Sequence, residues 1–208
     1  RQLSRQTPAR HGLPAHAAAP RRKPVFGLHT TEINGKTVRV TEETALDKPF
    51  CQLKHFVREG REGDPKLLIV APMSGHFATL LRGTVERMLP GHDVYITDWA
   101  DAKLVPTSAG RFDLDDYIDY VIEFLEHLGP NTHVIAVCQP SVPVYAAACV
   151  MSAAGNPCRP KTLTMMGGPI DTRRAPTTVN TLAVQRPYAW FETMVIAKVP
   201  FGHAGAGR

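Results

Sequence analysis

Cys138 stands at a point in the sequence where a side chain could act as a nucleophile. It follows the short apolar run Val134–Val137 and precedes Gln139-Pro140-Ser141, which opens a helix rich in small residues. A strand that turns sharply into a helix exposes one side chain at the edge of a sheet and directs a helix amino terminus toward it. A thiol in that position is suited to acyl transfer. The pattern therefore predicts a nucleophilic Cys138, while a buried cysteine that only packs stays open as the alternative.

The residues around Cys138 suit such a turn. Ala136 and Pro140 stand two residues before and two after it, and Pro140 suits the first position of a helix because a proline has no N–H to leave unpaired there. The residue after a nucleophile usually supplies one N–H of the oxyanion hole, so Gln139 is the first candidate donor. Ser141 is a rival nucleophile. Because it stands three residues after Cys138 and should already belong to the helix, we expect it to cap the helix or to lie in its solvated first turn.

A second oxyanion donor is expected from the loop that follows an earlier strand. This loop reads Ala71-Pro72-Met73-Ser74-Gly75-His76-Phe77, and its glycine permits unusual backbone angles. The N–H of Met73 or of Ser74 could serve as the donor. Ser74 also suits the cap of the helix that follows, and the two roles are compatible.

The base and the acid that a cysteine nucleophile requires are not evident. The only histidine after Cys138 is His203, in a glycine-rich tail. Asp171 could be an acid, although an ion pair with Arg173 or Arg174 is the more expected role. His76 and Asp171 are therefore candidates for supporting the site only. No complete triad is visible from the residues alone.

The elements that position these residues alternate between strands and helices. Asn34-Gly35 predicts a hairpin turn, and apolar runs predict strands near 67–71, 94–97, 134–137 and 163–166. Helical periodicity predicts helices between them, the clearest one starting after Asp113 as its cap. Such a βαβ series indicates an α/β fold with a mostly parallel sheet and helices on both faces, in which ligands bind at the carboxyl ends of the strands.

The composition divides the chain into a basic leader and a nearly neutral body. The first 31 residues carry six of the 24 Lys and Arg and no acid, which leaves 18 cations against 19 Asp and Glu. We expect a flexible Pro/Ala-rich leader over 1–24, which need not imply nucleic-acid binding.

No apolar run reaches the roughly 18 residues of a membrane span. Four scattered cysteines and nine histidines without ligand spacing indicate neither a disulfide framework nor a metal site.

Several long motifs are more specific than a lone nucleophile turn. They are Val70-Ala71-Pro72-Met73-Ser74-Gly75-His76-Phe77-Ala78-Thr79-Leu80-Leu81, His92-Asp93-Val94-Tyr95-Ile96-Thr97-Asp98-Trp99, Asp115-Asp116-Tyr117, Ala136-Val137-Cys138-Gln139-Pro140 and Gly167-Gly168-Pro169-Ile170-Asp171. With them, the stretch from Leu68 to Ala183 resembles the intracellular poly(3-hydroxybutyrate) depolymerase family, which degrades stored polyester granules.

The resemblance implies an α/β-hydrolase fold in which Cys138 replaces the usual serine. It further implies a thioester acyl-enzyme, hydrolysis to 3-hydroxybutyrate units or oligomers, no cofactor, and a cytoplasmic protein bound to polymer granules. The family's catalytic Asp and His lie in a carboxyl-terminal half that this chain lacks, so we expect the chain alone to be inactive. Residues 25–208 would then be the amino-terminal part of the domain, with strands over 30–57, the βαβ series over 65–171, an irregular or helical lid over 172–208, and a sheet that stops after about the sixth strand.

Two other functions stay open. One is a polyester synthase-like acyltransferase, which uses a similar cysteine on a similar fold. Synthases typically place that cysteine between glycines, and Ala136 and Pro140 speak against this alternative. The other is a granule-associated module without catalytic activity, in which Cys138 is structural.

Overall fold

The computed structural model describes residues 23–73 and 77–196, and in these residues seven strands form one sheet in the order β1-β2-β3-β5-β4-β6-β7. The strands are β1 Thr30–Ile33, β2 Lys36–Asp47, β3 Cys51–Arg58, β4 Lys66–Val70, β5 Asp93–Trp99, β6 His133–Val137 and β7 Thr162–Met166. The helices are α1 Arg82–Met88, α2 Leu114–Leu128, α3 Ser141–Ala153, α4 Thr178–Gln185 and α5 Tyr188–Met194. Short 3₁₀ turns span Ala78–Leu81, Ala102–Leu104 and Thr107–Ala109.

The sheet combines an antiparallel edge with a parallel centre. Asn34 and Gly35 both have positive φ, 51° and 74°, as the predicted two-residue hairpin between β1 and β2 requires. The pairs β2–β3 and β3–β5 are antiparallel, whereas β5, β4, β6 and β7 run parallel to one another. The predicted fold class is confirmed. Because the hairpin contributes two strands, β7 is the seventh strand rather than about the sixth.

Helices cover both faces of the sheet, as predicted. On one face, Val85 of α1 and the adjacent Leu89 are fully buried in a cluster with Ile69 and Ile96. On the other face, α2 and α3 bury a separate cluster that contains Phe124. The side chains of the central strands therefore meet a hydrophobic layer above and below. This explains why those strands read as continuous apolar runs rather than as alternating ones.

The helix before β5 differs from its prediction. Apolar spacing predicts one helix over 77–88 with Leu80 on the buried stripe, but the segment begins as a 3₁₀ turn, becomes α-helical only at Arg82, and leaves Leu80 58% exposed. A 3₁₀ turn has three residues per turn instead of 3.6. The tighter winding shifts Leu80 off the stripe that an α-helix would place in the core.

The two ends of the described chain differ in how they pack. Residues 1–22 of the predicted leader and the segment 197–208 lie outside the described residues, but Lys23 forms an ion pair with the buried Asp98, and Phe26 and Leu28 are buried in the core. After β7, α4 and α5 occupy part of the segment predicted as irregular or helical, and neither contains a buried residue. No helix within 23–73 or 77–196 is long and apolar enough to cross a membrane.

The cap of α2 should make stability depend on pH. The backbone N–H of Asp116 and the charge of Arg111 hold the pKa of Asp113 below its ordinary value, so the ionised cap stabilises the fold at neutral pH. That contribution is lost as the pH falls through the folded-state pKa. We expect the free energy of unfolding of the wild type to fall more steeply below about pH 4 than that of Asp113→Asn, because asparagine caps without titrating.

Urea unfolding at neutral and acidic pH measures this difference. Asp119→Asn, at an exposed position of the same helix, is the matched control for the loss of one surface carboxylate. Parallel pH profiles for the wild type and Asp113→Asn would contradict the assignment of the cap.

Candidate active site

Cys138 lies on a sharp turn between β6 and α3, which we call the elbow. β6 ends at Val137, α3 begins at Ser141, and Cys138 is exposed with a φ of 64°. A non-glycine residue held in this region costs on the order of 1–3 kcal/mol and persists only where its surroundings impose it. The predicted strand-to-helix turn is therefore present, and it presents the thiol at the carboxyl ends of the parallel strands.

Hydrogen bonds to the neighbouring strand and within the turn hold this backbone. The Cys138 N–H donates to the carbonyl of Met166 at the end of β7 over 2.8 Å, and the Ser141 N–H donates back to the Cys138 carbonyl over 3.1 Å. The Val144 N–H donates to the Pro140 carbonyl over 3.0 Å and closes the first turn of the helix. Among the described residues, the Gln139 N–H donates no hydrogen bond.

Pro140 and Ser141 differ in part from their predicted roles. Pro140 is buried and lies immediately before the first helical residue, Ser141. Its φ of −58° and ψ of −17° are close to helical values, so it precedes the helix instead of occupying the predicted first helical position. The expectation that Ser141 caps the helix or is solvated is wrong. Its side chain is fully buried, and its hydroxyl points back to the Ala136 carbonyl at 3.4 Å. The exposed Cys138 is therefore far better placed than Ser141 to meet a substrate.

The segment after β7 packs directly against this turn. Gly167 has a φ of 64°, and the chain then brings Gly168 so close to α3 that a Cβ there would lie 2.1 Å from the Ser141 hydroxyl. No side chain fits in that space. The two glycines after β7 thus let the chain bend and then approach the elbow closely, a requirement that strand and helix periodicity do not reveal.

The loop after β4 is the predicted source of the second oxyanion donor. Met73 is partly buried against the core, while Ser74 and His76 lie outside the described residues. Immediately before this loop, the Ala71 N–H donates to Thr97 Oγ1 and the Trp99 indole N–H donates to the Ala71 carbonyl, both over 2.9 Å. Sequence reasoning did not assign a role to these two β5 side chains, although both stand in one of the motifs that carry the resemblance.

Asp171 forms side-chain hydrogen bonds with Arg173. Its carboxylate accepts a 2.8 Å hydrogen bond from the Arg173 side chain, and this interaction lowers the pKa of Asp171 below its ordinary value. The arginine partner agrees with the expectation from the sequence. His203 lies outside the described residues.

None of the histidines among the described residues is hydrogen-bonded to Cys138. His55 Nε2 is hydrogen-bonded to Asp93 Oδ1 over 2.7 Å, and the imidazole ring stacks on Tyr95. Asp93 is the first residue of β5. This His–Asp pair lies toward the amino ends of the parallel strands. It is therefore at the opposite end of the sheet from Cys138 and cannot serve it.

Comparison with known proteins shows that the chain has the fold of α/β hydrolases. A family profile described as PHB de-polymerase C-terminus matches residues 167–208. No curated protein sequence matches the chain. The hyperthermophilic esterase of the archaeon Pyrobaculum calidifontis has the same fold, with 13% identity, a TM-score of 0.50, and an alignment covering 71% of this chain and 48% of the esterase.

A second solved structure is a serine-to-alanine mutant of LAE6, an α/β hydrolase from the metagenome of Lake Arreo in Spain. It is 15% identical, with a TM-score of 0.48 over 69% of this chain and 47% of that protein. The chain thus spans about half the length of these solved structures.

Substitution of Gly168 tests the close packing at the elbow. In Gly168→Ala, the new Cβ would overlap the Ser141 hydroxyl and Cβ, so the elbow or the segment after β7 must move. We expect the free energy of unfolding to fall by about 1–3 kcal/mol, as for overpacked sites, and the alkylation rate of Cys138 to change. Urea unfolding and mass-resolved iodoacetamide labelling measure the two effects.

Two further variants separate this clash from a general effect of alanine. Gly91→Ala has open space around the new Cβ and should unfold like the wild type. Adding Ser141→Gly to Gly168→Ala removes both overlapping atoms and should recover part of the lost stability. Wild-type stability in Gly168→Ala would refute the packing described for this glycine.

Proposed function

We propose that this chain belongs to the polyhydroxybutyrate depolymerase family, whose profile matches residues 167–208, and that it is the nucleophile-bearing part of a hydrolase that cleaves ester bonds through Cys138. The observation that carries the proposal is the exposed Cys138 with positive φ, at the turn from β6 into α3. A residue in this backbone conformation projects its side chain away from both the strand and the helix. An ester carbonyl can then approach the sulfur without displacing the core.

The proposed reaction begins with attack of the Cys138 thiolate on the carbonyl carbon of the ester. The carbonyl electron pair moves onto the oxygen, and the N–H groups of Gln139 and Met73 stabilise the resulting oxyanion, with Ser74 as the alternative to Met73. When the intermediate collapses, the carbon–oxygen bond to the alcohol breaks, and the leaving alkoxide takes up the proton that the general base removed from the thiol. The product is a thioester on Cys138. These steps need neither a metal nor an organic cofactor.

Turnover requires a base that accepts the thiol proton and later activates the water that hydrolyses the thioester. No histidine of residues 23–73 and 77–196 is hydrogen-bonded to Cys138, and Asp171 is engaged by Arg173. This proposal assigns the catalytic acid and base to none of the residues 23–73 and 77–196, and it keeps His76 and Asp171 as candidates for supporting the site. In this proposal the chain alone can be acylated but does not turn over.

The substrate in this proposal is poly(3-hydroxybutyrate) or a related polyester. The family profile supports this choice because it names the depolymerases of that polymer. The protein would then act at the surface of storage granules in the cytoplasm. Nucleic acid is not expected as a partner.

Acylation by an activated ester tests the nucleophile in the chain itself. With p-nitrophenyl butyrate we expect a burst of one p-nitrophenolate per chain and a butyryl group on Cys138, located by peptide mass spectrometry. Cys138→Ala should lose this burst. In the whole protein the same substitution should lower the release of 3-hydroxybutyrate from native granules by at least about 1000-fold, because the covalent step is removed.

Cys149→Ala is the matched control, since Cys149 is also exposed but lies within α3. This variant should keep the burst. Release of 3-hydroxybutyrate by Cys138→Ala would end the assignment of the nucleophile. Transfer of the acyl group to a hydroxyl acceptor instead of water would favour a synthase, and a wild-type chain that is never acylated would favour a module without catalytic activity.

A further inference from the structure

The N–H and the carbonyl of Ala71 are both hydrogen-bonded to side chains of β5 instead of to the backbone of that strand. Parallel pairing between β4 and β5 continues only to Ile69 and Ile96. Beyond that point, Thr97 Oγ1 accepts the Ala71 N–H and the Trp99 indole N–H donates to the Ala71 carbonyl, each over 2.9 Å. Ala71, Thr97 and Trp99 are all buried. The chain is therefore fixed at the residue where it leaves the sheet.

This fixed residue lies beside the nucleophile turn. In the register of β4 and β6, Val70 is level with Ala136. Continuing the same register by two residues brings Pro72 level with Cys138. The ring of Pro72 restricts its own φ, so ψ of Pro72 is the main backbone torsion left between the Ala71 peptide and the Met73 N–H. The position of the Met73 N–H relative to Cys138 thus depends on how firmly Ala71 is held.

Trp99 is itself held rigidly. Its ring lies edge-on to Tyr117, with centroids 4.4 Å apart, and contacts Phe112 at 5.7 Å. The next residue is anchored as well, because the Ala100 N–H donates to the Phe50 carbonyl over 2.9 Å. The indole N–H therefore reaches the Ala71 carbonyl from a fixed position, as preorganisation of an oxyanion site requires.

We propose that Thr97 and Trp99 are positioning residues for the oxyanion hole of Cys138. They touch neither substrate nor sulfur; they act by fixing the Ala71 peptide and, through Pro72, the N–H of Met73. This role rests on the proposed function, since it has meaning only if Cys138 attacks a carbonyl carbon.

Two reactions of the same thiol separate positioning from stability. Acylation of Cys138 by p-nitrophenyl butyrate passes through an oxyanion, whereas alkylation by iodoacetamide displaces iodide at a saturated carbon and forms none. Both rates are measured at one alkaline pH on the folded chain. In Trp99→Phe and in Thr97→Val we expect the ratio of acylation to alkylation to fall by roughly 10- to 100-fold, the effect of a slightly misplaced group. The alkylation rate itself should stay near that of the wild type.

Matched variants make the result specific. Thr97→Ser keeps an acceptor for the Ala71 N–H and should restore the ratio. Trp190→Phe removes the other tryptophan of the chain, and Thr132→Val removes a buried threonine at the opposite end of the sheet. Both should leave the ratio unchanged. If Trp99→Phe does not fold, the Thr97→Val and Thr97→Ser pair gives the same comparison.

Three results would overturn the proposal in distinguishable ways. An unchanged ratio in both folded variants overturns the positioning role alone. An equal fall of acylation and alkylation shows a general disturbance of the turn and also overturns it. A wild-type chain that is alkylated at Cys138 but never acylated overturns the proposed function, and the positioning role with it.

Discussion

The candidate site depends on one backbone constraint, the positive φ of Cys138. This conformation is unfavourable for any residue with a Cβ, so the turn must be imposed from outside. The Met166 carbonyl at the end of β7 accepts the Cys138 N–H, and the close approach of Gly168 to Ser141 sets how far α3 can move. The exposed thiol is therefore a consequence of where β7 ends.

The parallel centre of the sheet brings the other parts of the site to the same edge. β4 and β6 are neighbours that run in one direction, so the loop after β4 and the turn after β6 emerge side by side. The same geometry explains what is excluded. The His55–Asp93 pair has the composition of a catalytic base with its acid, yet it lies toward the amino ends of the strands. Strand direction thus decides which polar groups can act together with Cys138.

Much of the fold could be predicted because its signals are local. Asn34-Gly35 tolerates the positive φ of a tight hairpin, Asp113 caps α2 as its position suggests, and the apolar runs mark strands covered on both faces. The first helix was predicted less well. A stripe of apolar residues does not distinguish an α-helix from a 3₁₀ turn when the segment is short, and Leu80 is consequently exposed.

The sequence by itself determined that a cysteine follows a strand and precedes a helix, because that junction is a property of neighbouring residues. It did not determine that Ser141 is buried, that Gly168 must lack a side chain, or that Thr97 and Trp99 hold Ala71. These relations join residues 26 to 28 positions apart, and no periodicity or spacing rule connects them. Only the pairing of the strands brings them into contact, so tertiary structure decided how the turn that carries the thiol is held.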